Sequence, residues 1–353
     1  MLRGFSRQCI FFSLLSLLLL APSAGGVAAE DVTIDKVALI TPASRTNQGW
    51  DQQAADAITK VAAERGITAD IAENAGYDDI TPILKDFEAE GSQLIICHAS
   101  GYQTVCPEFA EESQIPVAVI ENPGAVKEGL ISDIETQAQE VAYLAGYLAG
   151  KTTTTGTVAI VVSGEPPTWN YMTVGFAEGL HASKPDATLL YSVIGEAAYD
   201  DVSGAKRVTE QALTAGADII FGMGDGASFG MVQAVEEHNQ HLETGESKAW
   251  FIDVIGDKSA DHGDALLTSV LFDYTGVYNQ MLDDLANGTF GKVYTLDVKN
   301  GGVRLLDLPA SVPQTVKDEI AAQQQAIIDG ATKVSAIADT NEMKKRLDEL
   351  FPR

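Results

Sequence analysis

"EGSQLII" at residues 90–96 and "AGADIIF" at residues 215–221 are variants of one phrase. Each is a polar turn running into a short apolar stretch of strand length, and each leads into a loop of small residues, "CHASGY" at 97–102 and "GMGDGASFG" at 222–230. Two more pairs keep the same order. "VALI" from Val37 returns as "VAIV" from Val158, and "GYDD" ending at Asp79 returns as "AYDD" ending at Asp201. The offsets of the three pairs, 121, 122 and 125 residues, are nearly constant, which marks an internal repeat.

Between the anchors, apolar runs alternate with helical periodicity: a strand over 37–41, a helix over 52–65, a strand over 67–73, a helix over 80–90 and a strand over 93–97. That alternation predicts βαβ units and a parallel sheet covered on both faces. The expected fold class is therefore α/β, two doubly wound parallel-sheet domains with a hinge. The first domain is expected over 31–132 plus 257–291, and the second over 133–256 plus 292–353, with crossings near Asp133, Gly256 and Lys292.

The first 29 residues stand apart. Arg3 and Arg7 precede an apolar run over 10–21, followed by Pro22, Ser23 and small residues, the layout of a secretory signal peptide. The run is too short to span a bilayer. Val27-Ala28-Ala29 offers the small residues of a cleavage site, with Ala24 as the alternative, so a soluble, exported, periplasmic protein is expected. Of 353 residues 45% are hydrophobic, enough for a sizeable core, and the formal net charge is −27. So acidic a chain repels nucleic acid and anionic lipid, and disfavours a highly charged anionic ligand. Cys97 and Cys106, nine residues apart, could pair in an oxidising compartment if their geometry allows. His238 and His241 lack metal-ligand spacing, and no metal or cofactor is expected.

Ligands of open parallel sheets bind beyond the carboxyl ends of the strands. Trp50 lies in the first such loop, and Pro166-Pro167-Thr168-Trp169-Asn170-Tyr171 occupies the matching place in the second copy. Trp50 and Trp169 either face one another across a cleft, where stacking on a flat base contributes about 1–3 kcal/mol per ring, or plug their own domains. Two patterns suggest other chemistry. Gly226-x-Ser228-x-Gly230 follows a strand and precedes a helix, as in a hydrolase elbow, with Asp253 and His262 downstream; the loop is longer and richer in glycine than such an elbow. Gly222-x-Gly224-x-x-Ala227 is a weak dinucleotide match. The repeated pairs Asp78/Asp79 and Asp200/Asp201 read as helix caps.

Landmarks along the whole chain then point to one family: "NQGWDQQA" from Asn47, "ETQAQEVAYLAGYLAG" from Glu135, "GTVAIVVSGEPP" from Gly156, "AGADIIFGMGDGASFGMVQA" from Ala215, "LLTSVLFDY" from Leu266 and "NGGVRLLDLP" from Asn300. Over nearly all of its mature length the chain resembles the basic membrane protein family of ABC-transporter substrate-binding proteins, whose best-known members are purine nucleoside receptors. The resemblance implies a type I periplasmic binding protein fold, a small-molecule ligand, a permease as partner, a monomeric state and no catalysis. It assigns base stacking to Trp50 and polar contacts to Asn47 or Asp51. Tyr199 takes the place of a second stacking aromatic, Gly224, Asp225 and Gly226 that of a glycine loop facing ligand, and Ser100, Gly101 and Tyr102 that of the loop after the third strand. The family's ribose acid falls near Asp253 or Asp257, and its lysine falls on Phe272. The stacking half of a nucleoside site is thus expected to be complete and the ribose half not, which leaves a nucleobase, a flavin-like ring or a sugar as alternative ligands. A DNA-binding regulator with the same core is set aside by the leader, the charge and the missing helix-turn-helix segment.

Overall fold

Central strands buried on both faces must be apolar along their whole length, and "KVALI" and "TVAIVV" meet that demand in the middle of two separate sheets. A computed structural model describes residues 33–242 and 247–352; the expected leader lies outside them. The first half runs β1 (Lys36–Ile40), α1 (Trp50–Arg65), β2 (Thr68–Ala72), α2 (Thr81–Ala89), β3 (Ile95–Cys97), α3 (Val105–Ser113), β4 (Val117–Ile120) and β5 (Ile131–Thr136). The second half repeats the series. It runs α4 (Ala138–Thr152), β6 (Thr157–Val162), α5 (Pro167–Ser183), β7 (Thr188–Val193), α6 (Val202–Thr214), β8 (Ile219–Met223), α7 (Ser228–Gln240), β9 (Trp250–Val254), the short α8 (Ser259–His262) and β10 (Leu266–Phe272). Then come α9 (Thr275–Ala286), β11 (Val293–Leu296), β12 (Val303–Leu305), α10 (Gln314–Ile328) and α11 (Thr340–Leu350).

The two six-stranded sheets have the same order, β11-β5-β4-β3-β1-β2 and β12-β10-β9-β8-β6-β7. Every pairing is parallel except that β12 runs antiparallel to β10. Both sheets belong to one compact body, Val32–Arg353, as two lobes. The α/β duplication expected from the repeat is what the topology contains.

The lobe boundaries differ from those expected. β5 stays in the first sheet to Thr136, past the crossing expected at Asp133, and β10, expected in a helical return to the first lobe, pairs with β9 in the second. β11 pairs with β5 beyond Lys292. The chain therefore passes between sheets after Thr136, after Phe272 and after Leu296. The reason is that β5 and β10 are the fifth strands of the two copies, and each completes its ladder against the fourth before the chain leaves.

Local chemistry fixes the elements. Gly66, at φ 70°, ends α1 in a left-handed turn whose N–H returns to the Ala62 carbonyl. The capping role expected of the repeated aspartates is met in the second copy, where Asp201 accepts from the Gly204 N–H at the start of α6 (2.8 Å); in the first copy Ile80 is the cap of α2, and Asp79 before it accepts from the Thr81 N–H (2.9 Å) in a local turn. Cys97, at the end of β3, is disulfide-bonded to Cys106 in α3, and both are buried.

Candidate ligand-binding site

Strained backbone gathers at one edge of both sheets. Among the described residues seven non-glycine residues have positive φ, and six of them, Gln48, Asn74, Glu121, Ala197, Asp225 and Ile255, lie in loops that leave the carboxyl ends of strands; the seventh, Gln114, caps α3. A β-branched residue such as Ile255, at φ 71°, pays for that conformation, and such outliers collect where a site needs them.

On the first lobe the loop after β1 is knitted by its own polar side chains. Asn47 Oδ1 accepts from the Gly49 N–H at 3.0 Å, and Asn47 Nδ2 donates to Asp51 Oδ2 at 2.9 Å. Asp51 is buried and also accepts from the Ala43 N–H at 3.3 Å; burial raises its carboxyl above the usual range. Asn47 and Asp51 thus shape the loop. Trp50 is half-buried: its Nε1 donates to the Tyr274 hydroxyl at 2.7 Å, and its ring packs 3.9 Å from that of His98. His98 is fully buried, which lowers its pKa to about 3 and keeps the imidazole neutral. One face and the N–H of Trp50 are therefore committed to its own lobe. After β3, Ser100 and Gly101 lie at the loop surface, while Tyr102 is buried and donates its hydroxyl to the Gly76 carbonyl at 2.6 Å.

On the second lobe Tyr199 is half-buried, and the ring of Trp169 meets it edge-on at a centroid distance of 5.4 Å. Trp169 is itself only 6% exposed, so it braces Tyr199 from the core instead of forming a wall. Phe272, on the fully buried strand β10, is also core. The glycine loop after β8 carries Asp225 at φ 46° between Gly224 and Gly226. Burial raises the Asp225 carboxyl to about 7; Asp51 of the opposite lobe, Asp200 and Asp253 add to the shift, and Lys258 opposes it.

A buried cation joins the two lobes. Lys258, buried, forms an ion pair with the fully buried Asp253, whose second oxygen, Oδ1, has no hydrogen-bond partner. The same ammonium donates to the Gln48 carbonyl of the first lobe at 3.2 Å, and Gln48 Nε2 donates to Asp261 at 3.1 Å. Gly256 lies against that Gln48 carbonyl, where any Cβ would collide. Thr168 of α5 donates to Glu121 of the first lobe. The two lobes are thus clasped around the loops that carry Trp50, Asp51, Tyr199 and Asp225.

The hydrolase pattern dissolves. Ser228 is buried at the start of α7 and donates its hydroxyl to the Asp225 carbonyl at 2.6 Å, while His262 Nδ1 meets Glu236 at 2.8 Å. Among the described residues no cluster of His, Cys, Asp or Glu could hold a metal, and no helix is long and apolar enough to cross a membrane. Sequence reasoning missed Lys258, His98 and Tyr274, whose roles come from contacts between segments far apart in the chain.

Two clasped lobes whose strand-end loops converge define a hinged solute-binding protein. Residues 34–337 match the family model of the PnrA-like ABC transporter substrate-binding proteins, and the chain belongs to that family, whose members bind solutes for transporters and are not enzymes. Relatives include the transcriptional activator protein Med of Bacillus subtilis, 22% identical over 318 residues, with 90% of this chain and 94% of that protein covered. The ABC transporter nucleoside-binding protein BmpA of Lactococcus lactis is 24% identical over 332 residues, covering 88% and 92%. An ABC transporter solute-binding protein from Conexibacter woesei superimposes with a TM-score of 0.74 at 20% identity, over 86% of this chain and all of that one.

Proposed function

We propose that this protein is the exported receptor of an ABC importer and closes its lobes on a planar ligand of the purine nucleoside or nucleobase type. One observation carries the reading: the Lys258 ammonium, paired with Asp253, donates to the Gln48 carbonyl of the opposite lobe, and this clasp holds together the strand-end loops that carry Trp50, Asp51, Tyr199 and Asp225. Aromatic rings from both lobes supply stacking, and the carboxyl groups of Asp200 and Asp225, neither of them in an ion pair among the described residues, supply acceptors for ring N–H and exocyclic amino groups. Asp253 Oδ1, buried without a partner, is a place for a ribose hydroxyl to donate. Hinge closure then presents the permease with a shape that differs from the open form. A formal charge of −27 disfavours nucleic acid as a partner and supports a receptor over a regulator.

The test is a thermal-shift screen of the purified protein against guanosine, adenosine, their free bases, riboflavin, D-ribose and L-arabinose. Stabilisation by one or more purines is expected, since a ligand at about 100 times its Kd adds about 2.7 kcal/mol. Stabilisation by the sugars alone would overturn the reading.

A further inference from the structure

The repeat extends beyond the strands into the loops at their ends. β3 and β8 are each followed by a single 3-10 turn, Ser100–Tyr102 and Asp225–Ala227, before α3 and α7 begin. At the offset of 125 residues, Cys97 and Cys106 of the first copy correspond to Gly222 and Met231 of the second. Each pair joins the end of a strand to the helix beyond the turn. In the second lobe the Met231 sulfur packs on Gly222, where a Cβ would come within 2.5 Å of it; in the first lobe the two sulfurs are bonded. The first lobe thus makes covalent a contact that the second makes by packing.

The loop enclosed by the cysteines reaches every neighbouring strand-end loop of its lobe. The His98 N–H donates to the Ile40 carbonyl at the end of β1 (2.9 Å), its ring packs against Trp50, and its Nε2 donates to the Trp50 carbonyl at 3.3 Å. Tyr102 donates to the Gly76 carbonyl in the loop after β2. Gln103 Nε2 donates to the carbonyls of Ile120 (2.8 Å) and Glu121 (3.0 Å) after β4, and the Gln103 carbonyl accepts from Asn122 Nδ2 at 3.1 Å. Glu121, left-handed at φ 57°, in turn accepts from Thr168 of the second lobe. The matching turn after β8 is held differently, by the Ala227 N–H on the Tyr199 carbonyl (2.7 Å) and by the Ser228 hydroxyl on the Asp225 carbonyl.

We propose that the Cys97–Cys106 disulfide is a positioning element of the binding site: it fixes the turn Ser100–Tyr102 as a hub that holds the loops after β1, β2 and β4 in place. Its effect on loop order is a property of the chain alone, and only its effect on affinity rests on the receptor reading. A covalent bond around so short a loop removes alternative backbone arrangements. Loops already held in their bound positions lose less entropy when ligand arrives, so affinity gains without any contact between sulfur and ligand. Both cysteines are fully buried, which makes the bond a structural one and not a site of thiol exchange.

Hydrogen exchange of the purified protein without ligand, read by mass spectrometry, tests the assignment by comparing the wild type with Cys97→Ala/Cys106→Ala. The variant is expected to exchange faster within 97–106 and also over 43–50, 74–77 and 120–122, which are remote from both cysteines in sequence, while 219–231 keeps its wild-type rate. Faster exchange confined to 97–106, or spread equally over both lobes, would overturn the proposal. Should the double variant fail to fold, Gln103→Leu keeps the disulfide and cuts one arm of the hub. Residues 120–122 are then expected to loosen alone, and unchanged exchange there would count against the hub. Isothermal titration with guanosine and adenosine measures the consequence for ligand: binding by the double variant is expected to be about tenfold weaker. Wild-type affinity in a protein with loosened loops would refute the positioning role. If the wild type itself binds neither nucleoside, the receptor reading falls, while the exchange rates still decide whether the disulfide orders the three loops.

Discussion

Asp225 combines a left-handed backbone, four neighbouring charges and a carboxyl raised to about 7. Its ordinary value is 3.8, so between those two values the folded protein keeps a proton that the unfolded chain has released. Stability from this group is therefore complete at low pH and falls as pH rises from about 4 to 7. Asp225→Asn is expected to raise the melting temperature at pH 7.5 and to have little effect at pH 4; an equal shift at both would show that ionisation is not the cause. Trp50 illustrates how far one residue can be read from sequence. Its place at the cleft edge was legible from its distance beyond "VALI", but its partners Tyr274 and His98 lie 224 and 48 positions away, and no local pattern announces them.

Among the elements, the loop after β1 and the segment from β9 to α8 form the clasp between lobes. Gly256 is the tightest point, since a methyl group there would meet the Gln48 carbonyl and push it away from the Lys258 ammonium. Gly256→Ala is expected to leave each lobe folded but to disfavour closure, weakening ligand by about tenfold and enlarging the radius of gyration seen by X-ray scattering. A variant as compact and as tight-binding as the wild type would remove the clasp from the mechanism. The sheets themselves were largely legible, because three repeated anchors mark equivalent segments in both copies and the apolar runs between them alternate with helical periodicity. Their limits were not: "LLTSVLF" is an apolar run that fits either lobe, and only its ladder with β9 decides. Burial was equally hidden, so Phe272, Tyr102 and Trp169, aromatic and near the right loops, proved to face inward.

At the scale of the whole molecule, duplication explains both the architecture and the site. Two copies of one βα series place equivalent loops at equivalent edges, and facing those edges makes a cleft with paired features: a glycine-centred 3-10 turn after β3 and another after β8. The asymmetries then set function. One copy contributes Trp50 and the buried His98, while the other contributes Asp225 and the Lys258–Asp253 pair. The most direct test is a crystal structure grown with whichever purine stabilises the protein most. The account predicts the heterocycle in the cleft between the lobes, stacked on Tyr199 or Trp50, its N–H edge towards Asp200 and Asp225, with Gln48 still joined to Lys258. A purine bound outside the cleft, or within it but clear of both Trp50 and Tyr199, would contradict it.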